Sequence, residues 1–218
     1  VLQFTVSVTL IIGTVVVFRQ IQYAQDRPIG YERSELIFTR IRTGEIMKHY
    51  DAFRNDMLQT GVVQEISASE SPITSTFTTN SGFTWNGKDP YVTEEFVSLS
   101  VSPEFGKTID WEIIEGRDFS REMAGDSAAF IINEAAAMYM NFDTPVGEVI
   151  KWGNNGDFEI IGVIKNMITQ SPYAPVEPMI FFLPSRTTAF ARINFINIRI
   201  RPSASARDAL SEIEKVYK

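Results

Sequence analysis

Residues 1–18, VLQFTVSVTLIIGTVVVF, carry no charge, and Arg19 then opens a chain that stays mixed and polar to its end. As a helix these eighteen residues would rise about 27 Å, just short of the roughly 30 Å hydrocarbon core of a bilayer. An apolar run of this kind, tied to a polar chain, places that chain beside a membrane. The sequence opens on Val, with no basic residues before the apolar run and no clean small-x-small cleavage site after it. The expectation is therefore a fragment cut inside or near the start of a transmembrane helix, and not a signal peptide. A buried core helix is the competing reading, one that a run of ten to fourteen apolar residues would favour.

The remainder is long enough to fold. With 218 residues, 44% of them apolar, the chain has material for one domain of ordinary size or two small lobes. The net charge of -7 and the lack of any Lys or Arg cluster argue against nucleic acid as a partner. There is no cysteine, which removes disulfides, thiolate metal sites and thiol nucleophiles together.

The apolar pattern continues without a breaker past Arg19 and Tyr23, so one helix is expected to protrude about two turns beyond the bilayer. Pro28 and Gly30 should end it. Residues 36–41 read as a strand. Ile46, Tyr50, Phe53 and Met57 fall at helical spacing and predict one amphipathic helix closing near Gly61. Residues 62–68 form the next strand, and a right-handed crossover would make the two strands parallel. Residues 70–90 then turn rich in Ser, Thr, Asn and Gly, with a hairpin signal at Asn86-Gly87. Strands are predicted over 95–101, 111–114, 128–132, 149–152, 158–164, 179–183 and 195–201, the pair 149–152 and 158–164 forming a hairpin across Gly153–Gly156. Short helices are expected over 103–109 and 134–140, the second capped by Asn133. Ser203 or Ser205 should cap a last helix whose stripe is Ala206, Leu210, Ile213 and Tyr217. That helix runs to the end of the sequence, so its β-α-β unit is expected to lack a final strand.

Candidate chemistry is sparse. His49 is the only histidine, off the apolar stripe of its helix, and without a second His or any Cys the common zinc sets and Ser-His or Cys-His pairs cannot be built. Asp110, Glu112, Glu115 and Asp118 cluster in sequence, as a solvated strand edge would. Gly106-Lys107-Thr108 mimics a phosphate loop, but Val101 stands where its first glycine is required, and Pro103 and Glu104 fill the loop. Seven scattered methionines suit core packing better than soft-metal binding. Trp85 and Trp152 lie beside turns, as exposed contacts or as lids on the core. No catalytic, cofactor-binding or metal-binding residue is assigned.

The order of the pieces resembles a known family. Gln3-Phe4-Thr5-Val6-Ser7, Leu10-Ile11-Ile12-Gly13-Thr14, Arg19-Gln20, Tyr23 and Gly30-Tyr31 resemble the membrane-exit helix of MacB/FtsX-like ABC-transporter permeases of the Bacteroidetes type. Glu115-Gly116-Arg117-Asp118-Phe119-Ser120 is similar to the family's EGRDFS turn, and Ile131-Ile132-Asn133-Glu134-Ala135-Ala136 to its strand-to-helix step. Pro145-Val146-Gly147 matches its PvG. Ile160-Ile161-Gly162-Val163-Ile164-Lys165 resembles the IiGVvkD strand, with Asn166 in place of the usual Asp. Met167-Ile168-Thr169 replaces the usual aromatic-His sequence, so contacts made there by other members do not carry over. The form of the helix resembles the one before the second such domain of an eight-span permease.

The resemblance implies an α+β fold: a two-lobed periplasmic core domain with a porter-like β-α-β lobe and an inserted mixed α/β lobe, preceded by a transmembrane and stalk helix. The expected division is 1–28 for the helix, 29–69 with 190–218 for the porter-like lobe, and 70–189 for the inserted lobe. The expected function is non-catalytic: the domain would convert ATP-driven movement of a separate cytoplasmic subunit into movement outside the inner membrane, with α-helical residues 1–25 as the lever. Its expected partners are that ATP-binding subunit, the rest of the permease or a second copy, and a periplasmic partner or substrate. The rival is a membrane-anchored sensor, which requires an enclosed pocket with convergent polar groups. Arg19, Arg27 and Arg33 follow the apolar run and run against the orientation, since positive charge usually marks the cytoplasmic side.

Overall fold

The computed structural model describes residues 2–26, 29–75, 78–169, 173–184 and 193–217. Helix α1, Leu2–Asp26, is unbroken over 25 residues. Its threonines do not interrupt it: Thr9 and Thr14 donate to the carbonyls of Thr5 and Leu10 one turn back, which satisfies each hydroxyl inside an apolar helix. Gly30 follows at φ +81°, where the chain turns into the domain; Pro28, the other expected terminator, lies outside the described residues.

Two sheets organise the rest. The smaller has three strands in the order β1 (Leu36–Arg40), β11 (Phe195–Ile200), β2 (Val63–Ser69). Both outer strands run antiparallel to β11, so β1 and β2 point the same way, as the crossover predicts, with β11 slotted between them. The connecting helical region is two helices and not one: α2 (Glu45–Lys48) and α3 (Tyr50–Gln59). The break falls at His49, whose φ of -119° leaves the helical region and lets Tyr50 turn inward, its hydroxyl 3.4 Å from both Ile66 O and Ser102 Oγ. The predicted face still packs: Met57, Val63, Ile66, Ala68, Ile196 and Ile198 make a core that Ile46, Tyr50 and Phe53 flank.

The last helix, α6 (Ala206–Tyr217), closes this core. Ser205 caps it, its Oγ accepting from Asp208 N. Half of the expected stripe holds: Ile213 is buried and Tyr217 packs against this core, but Ala206 and Leu210 are exposed and Ala209 is buried in their place. The phase is set by the sheet beneath, where Tyr217 meets the Phe53 ring edge-on at 5.9 Å.

The larger sheet has eight strands, ordered β3 (Thr79–Asn80), β5 (Phe96–Ser100), β10 (Met179–Phe182), β7 (Ala129–Asn133), β9 (Asp157–Ile164), β8 (Val149–Trp152), β4 (Phe83–Thr84), with β6 (Ile113–Gly116) also pairing β9. β5 and β10 are parallel, as are β7 and β9, and β8 with β9 is the expected hairpin. The two ends of this order, β3 and β4, are separated in sequence by Ser81 and Gly82 alone, so the sheet must curl until its ends meet. The central strands β5, β10 and β7 are buried on both faces, whereas β8 alternates between buried and exposed. In β7, Ala129 and Ile131 join one core while Phe130 and Ile132 join the other, the pattern expected of central strands. Helix α5 (Glu134–Met140) packs on the second of these cores.

Asn86-Gly87 turns the chain, with Lys88 N donating to Trp85 O at 3.2 Å, but it does not join a hairpin. β4 pairs with β8 instead, because Phe83 is drawn into an aromatic cluster with Trp152, Phe96 and Phe130. Trp152 is a core residue of that cluster. Trp85 stands at its rim, with the Lys88 ammonium 5.1 Å over its ring.

Candidate functional site

The sequence-level candidates for chemistry do not converge. His49 is exposed at the α2–α3 break. Asp110 ends the short helix α4 (Phe105–Ile109) in the left-handed region, Glu112 pairs with Lys165 at 2.9 Å, and Glu115 is exposed on β6. Asp118 turns inward, its Oδ2 accepting from Trp111 Nε1 at 3.2 Å and its Oδ1 from Phe119 N at 2.8 Å. Burial pushes its carboxyl up to about 6 against these two bonds. Gly106 lies in α4, where a Cβ would sit 2.2 Å from both Asp118 Oδ2 and Trp111 Nε1. It is a packing glycine and not part of a phosphate loop. Among the described residues no group of three His, Asp or Glu could hold a metal.

The geometry concentrates elsewhere, where α1 enters the domain. Ile29 O accepts from Ile168 N at 3.0 Å and Glu32 N donates to Ile109 O at 2.9 Å. Between them Gly30 lies so close to the segment after β9 that a Cβ would stand 2.3 Å from Asn166 O. Asn166 in turn is locked to the start of α5, its N donating to Glu134 Oε2 and its Oδ1 accepting from Ala135 N, both at 2.9 Å. Asn133, the expected cap of α5, accepts from Ala136 N and Met179 N and donates to Glu177 O, all at 2.9 Å. A run of hydrogen bonds thus leads from Ile29 and Gly30 to the segment after β9, to α5 and to β10 of the curled sheet.

Arg199 completes the junction, and sequence reasoning missed it. Nearly buried in β11, it donates from Nε to Thr108 O at 2.6 Å, and from its two terminal nitrogens to Ser34 O and Glu32 O at 2.9 Å each. One guanidinium gathers the segment after the helix, the carboxyl end of α4, where a cation is favoured, and the small sheet. The signal was present in the strand FINIRI, whose Asn197 and Arg199 alternate with apolar residues and so make one sheet face polar. Asn197 on that face donates to Ser69 Oγ at 2.9 Å.

The two sheets also meet through an ion cluster. Arg121 donates to the buried Glu104 carboxylate and, at 2.5 Å, to Asp51 on α3, while its guanidinium lies 5.8 Å over the Tyr50 ring. Arg54 on α3 binds Glu65 at 2.5 Å and approaches Glu104 at 4.0 Å. Its bonds to Glu104, opposed by partial burial and followed by those to Asp51, hold the Arg121 guanidinium more firmly protonated, and burial raises the Tyr50 phenol. Above this cluster an open groove of about 510 Å³ runs between α3 and Pro184, floored by Ala68 and Ser102. Asp126, in the turn Ala124–Ala128, is bound by the EGRDFS segment: burial opposes its ionisation, but bonds from Arg117 at 2.6 and 2.9 Å and from Ser120 N outweigh it and hold the carboxyl below its usual range.

An exposed helix long and apolar enough to cross a membrane, followed by a two-sheet domain, is the layout of a membrane-anchored module. Residues 2–216 match the family profile of the MacB-like periplasmic core domain, and the chain belongs to that family. It is the periplasmic domain of a MacB-like ABC-transporter permease. Among solved structures it resembles the periplasmic region of MacB from Actinobacillus actinomycetemcomitans, with TM-score 0.58 and 13% identity over 87% of this chain and 85% of that one. It also resembles the extracellular domain of the noncanonic ABC-type transporter YknZ from Gram-positive bacteria, with TM-score 0.53 and 14% identity over 81% and 88%. At these identities the likeness is one of fold. No curated protein sequence matches the chain. A permease domain of this family implies a permease that works with an ATPase subunit.

Proposed function

We propose that this domain is a non-catalytic transmitter, which carries ATP-driven movement of a cytoplasmic ATPase subunit across the inner membrane through α1. The observation that carries the reading is the joint at Gly30. The helical ladder is unbroken to Asp26, and Gly30, four residues further on, makes a backbone-to-backbone contact with Asn166; this junction is tied to both sheets, to the larger through Asn166 and to the smaller through Arg199. Motion of the helix end must then move both sheets. Such work needs no titratable residue, which agrees with the scattered chemistry. In this reading residues 1–28 are the lever, 29–69 with 190–218 the porter-like lobe, and 70–189 the inserted lobe.

A sensor reading is less well supported: most grooves lined by the described residues open widely to solvent, and the most enclosed of them, about 250 Å³ beside Met167 and Val176, is lined mainly by apolar residues where a ligand sensor needs convergent polar groups. The test is a distance measurement in the intact permease with its ATPase subunit, carrying nitroxide labels on Tyr91→Cys in two copies of the domain. Trapping the nucleotide-bound state with vanadate should change the separation of the labels. A separation that ignores the nucleotide state would refute transmission.

A further inference from the structure

Tyr173 is a loop residue that reaches back to the membrane helix. Its hydroxyl donates to Gln20 O at 3.2 Å across 153 positions of sequence, and with Val15, Val16, Arg19, Gln20 and Tyr23 it lines one open groove. Gln20 lies six residues before the end of α1, so the Tyr173 hydroxyl meets the helix roughly 9 Å before that end, at about 1.5 Å per residue.

That depth matters because of what the helix is. Its candidate span is Gln3–Tyr23, 21 residues with none of the span buried by the domain. Those residues cover roughly 31 Å, about one hydrocarbon core. Arg19 is the first charge in the chain, and an arginine near a span end extends its guanidinium to the headgroups. The boundary of the bilayer on the domain's side therefore falls between Arg19 and Tyr23, the level at which Tyr173 is fixed. A tyrosine is the side chain suited to that level, apolar in its ring and polar at its tip. Tyr173 is 61% exposed, and Ala174 and Pro175 beside it are exposed and carry no charge.

We propose that the segment from Tyr173 to Val176 is a membrane-contact site, with the Tyr173 ring seated among the lipid headgroups of the leaflet beside the domain. The partner is the lipid interface itself. The open groove between Tyr173 and the helix, lined by Val15, Val16, Arg19, Gln20 and Tyr23, would be filled by the upper part of acyl chains. The domain then rests on the bilayer at a second point away from its stalk, which restricts tilting about the Gly30 joint. The inference depends on α1 spanning a membrane, as the proposed function requires.

The absence of cysteine in this chain makes the test direct. In the intact permease, with cysteines elsewhere replaced and the protein in lipid nanodiscs, nitroxide labels would be placed singly on Tyr173→Cys, Ile12→Cys and Tyr91→Cys. Accessibility to oxygen, which concentrates in lipid, is compared with accessibility to a water-soluble nickel complex. Ile12 is the lipid reference and Tyr91, 96% exposed, the aqueous one. The expected result places position 173 between the two, shifted from the aqueous value toward the lipid value. If position 12 reads as lipid and position 173 matches position 91, the membrane contact is overturned while the spanning helix stands. If position 12 itself reads as aqueous, both fall.

Discussion

Asp118 shows at the scale of one residue how the fold sets chemistry that composition does not. It belongs to an acidic stretch that reads as a solvated edge, yet burial raises its pKa to about 6 from an ordinary 3.8. The folded state therefore holds the proton more tightly than the unfolded chain. The contribution of Asp118 to stability is complete below about pH 4 and is lost as pH rises through 6. Asp118→Asn should abolish this loss. Denaturant titrations from pH 4 to pH 7 should show the variant gaining on the parent by about 1–2 kcal/mol across the range, once partial exposure is allowed for. Parallel pH profiles would mean that the carboxyl titrates normally. Any constant offset reports only the bond to Trp111.

Elements were legible where local pattern and packing agree. The uncharged run became α1, the 149–164 hairpin formed as spaced, and Asn133 caps α5 because an Asn before an Ala-rich segment satisfies a free N–H whatever surrounds it. Local pattern failed where a distant partner decides. Asn86-Gly87 makes its turn but not its hairpin, since Phe83 gains more beside Trp152 than across the turn. The α2–α3 break and the burial of Ala209 on α6 in place of Ala206 and Leu210 follow from the sheet they lie on. The joint was legible in part: Gly30 stood out as a helix stop, but its contact with Asn166, more than a hundred positions away, has no local signature, and neither does Arg199. The strength of that contact is testable against a control. Gly30 and Gly61 share a positive φ, +81° and +76°, but a Cβ at Gly61 meets nothing within 4 Å. Gly61→Ala should cost about 1–2 kcal/mol, the left-handed penalty alone, and Gly30→Ala about 1–3 kcal/mol more for displacing the Asn166 backbone. Chemical denaturation of the two variants decides it, and equal losses would mean that Gly30 is not seated against the Asn166 backbone.

At the scale of the whole fold, an exposed helix is followed, four residues past its end, by a junction bonded to both sheets, and the proposed role is mechanical. If α1 transmits force, continuity of its backbone ladder matters more than its exposed side chains. Proline inside a helix deletes a hydrogen bond and clashes with the preceding turn, at about 3 kcal/mol or more. Gln22 lies four residues before the end of α1, beyond most of the span and before the joint, so a kink there should leave both the membrane anchor and the domain folded. The decisive measurement is export and ATPase rate, side by side, in reconstituted membranes carrying Gln22→Pro or Gln22→Ala, with circular dichroism as the folding control. The account predicts that the proline variant hydrolyses ATP without export while the alanine variant is nearly silent. Full export by Gln22→Pro would contradict it.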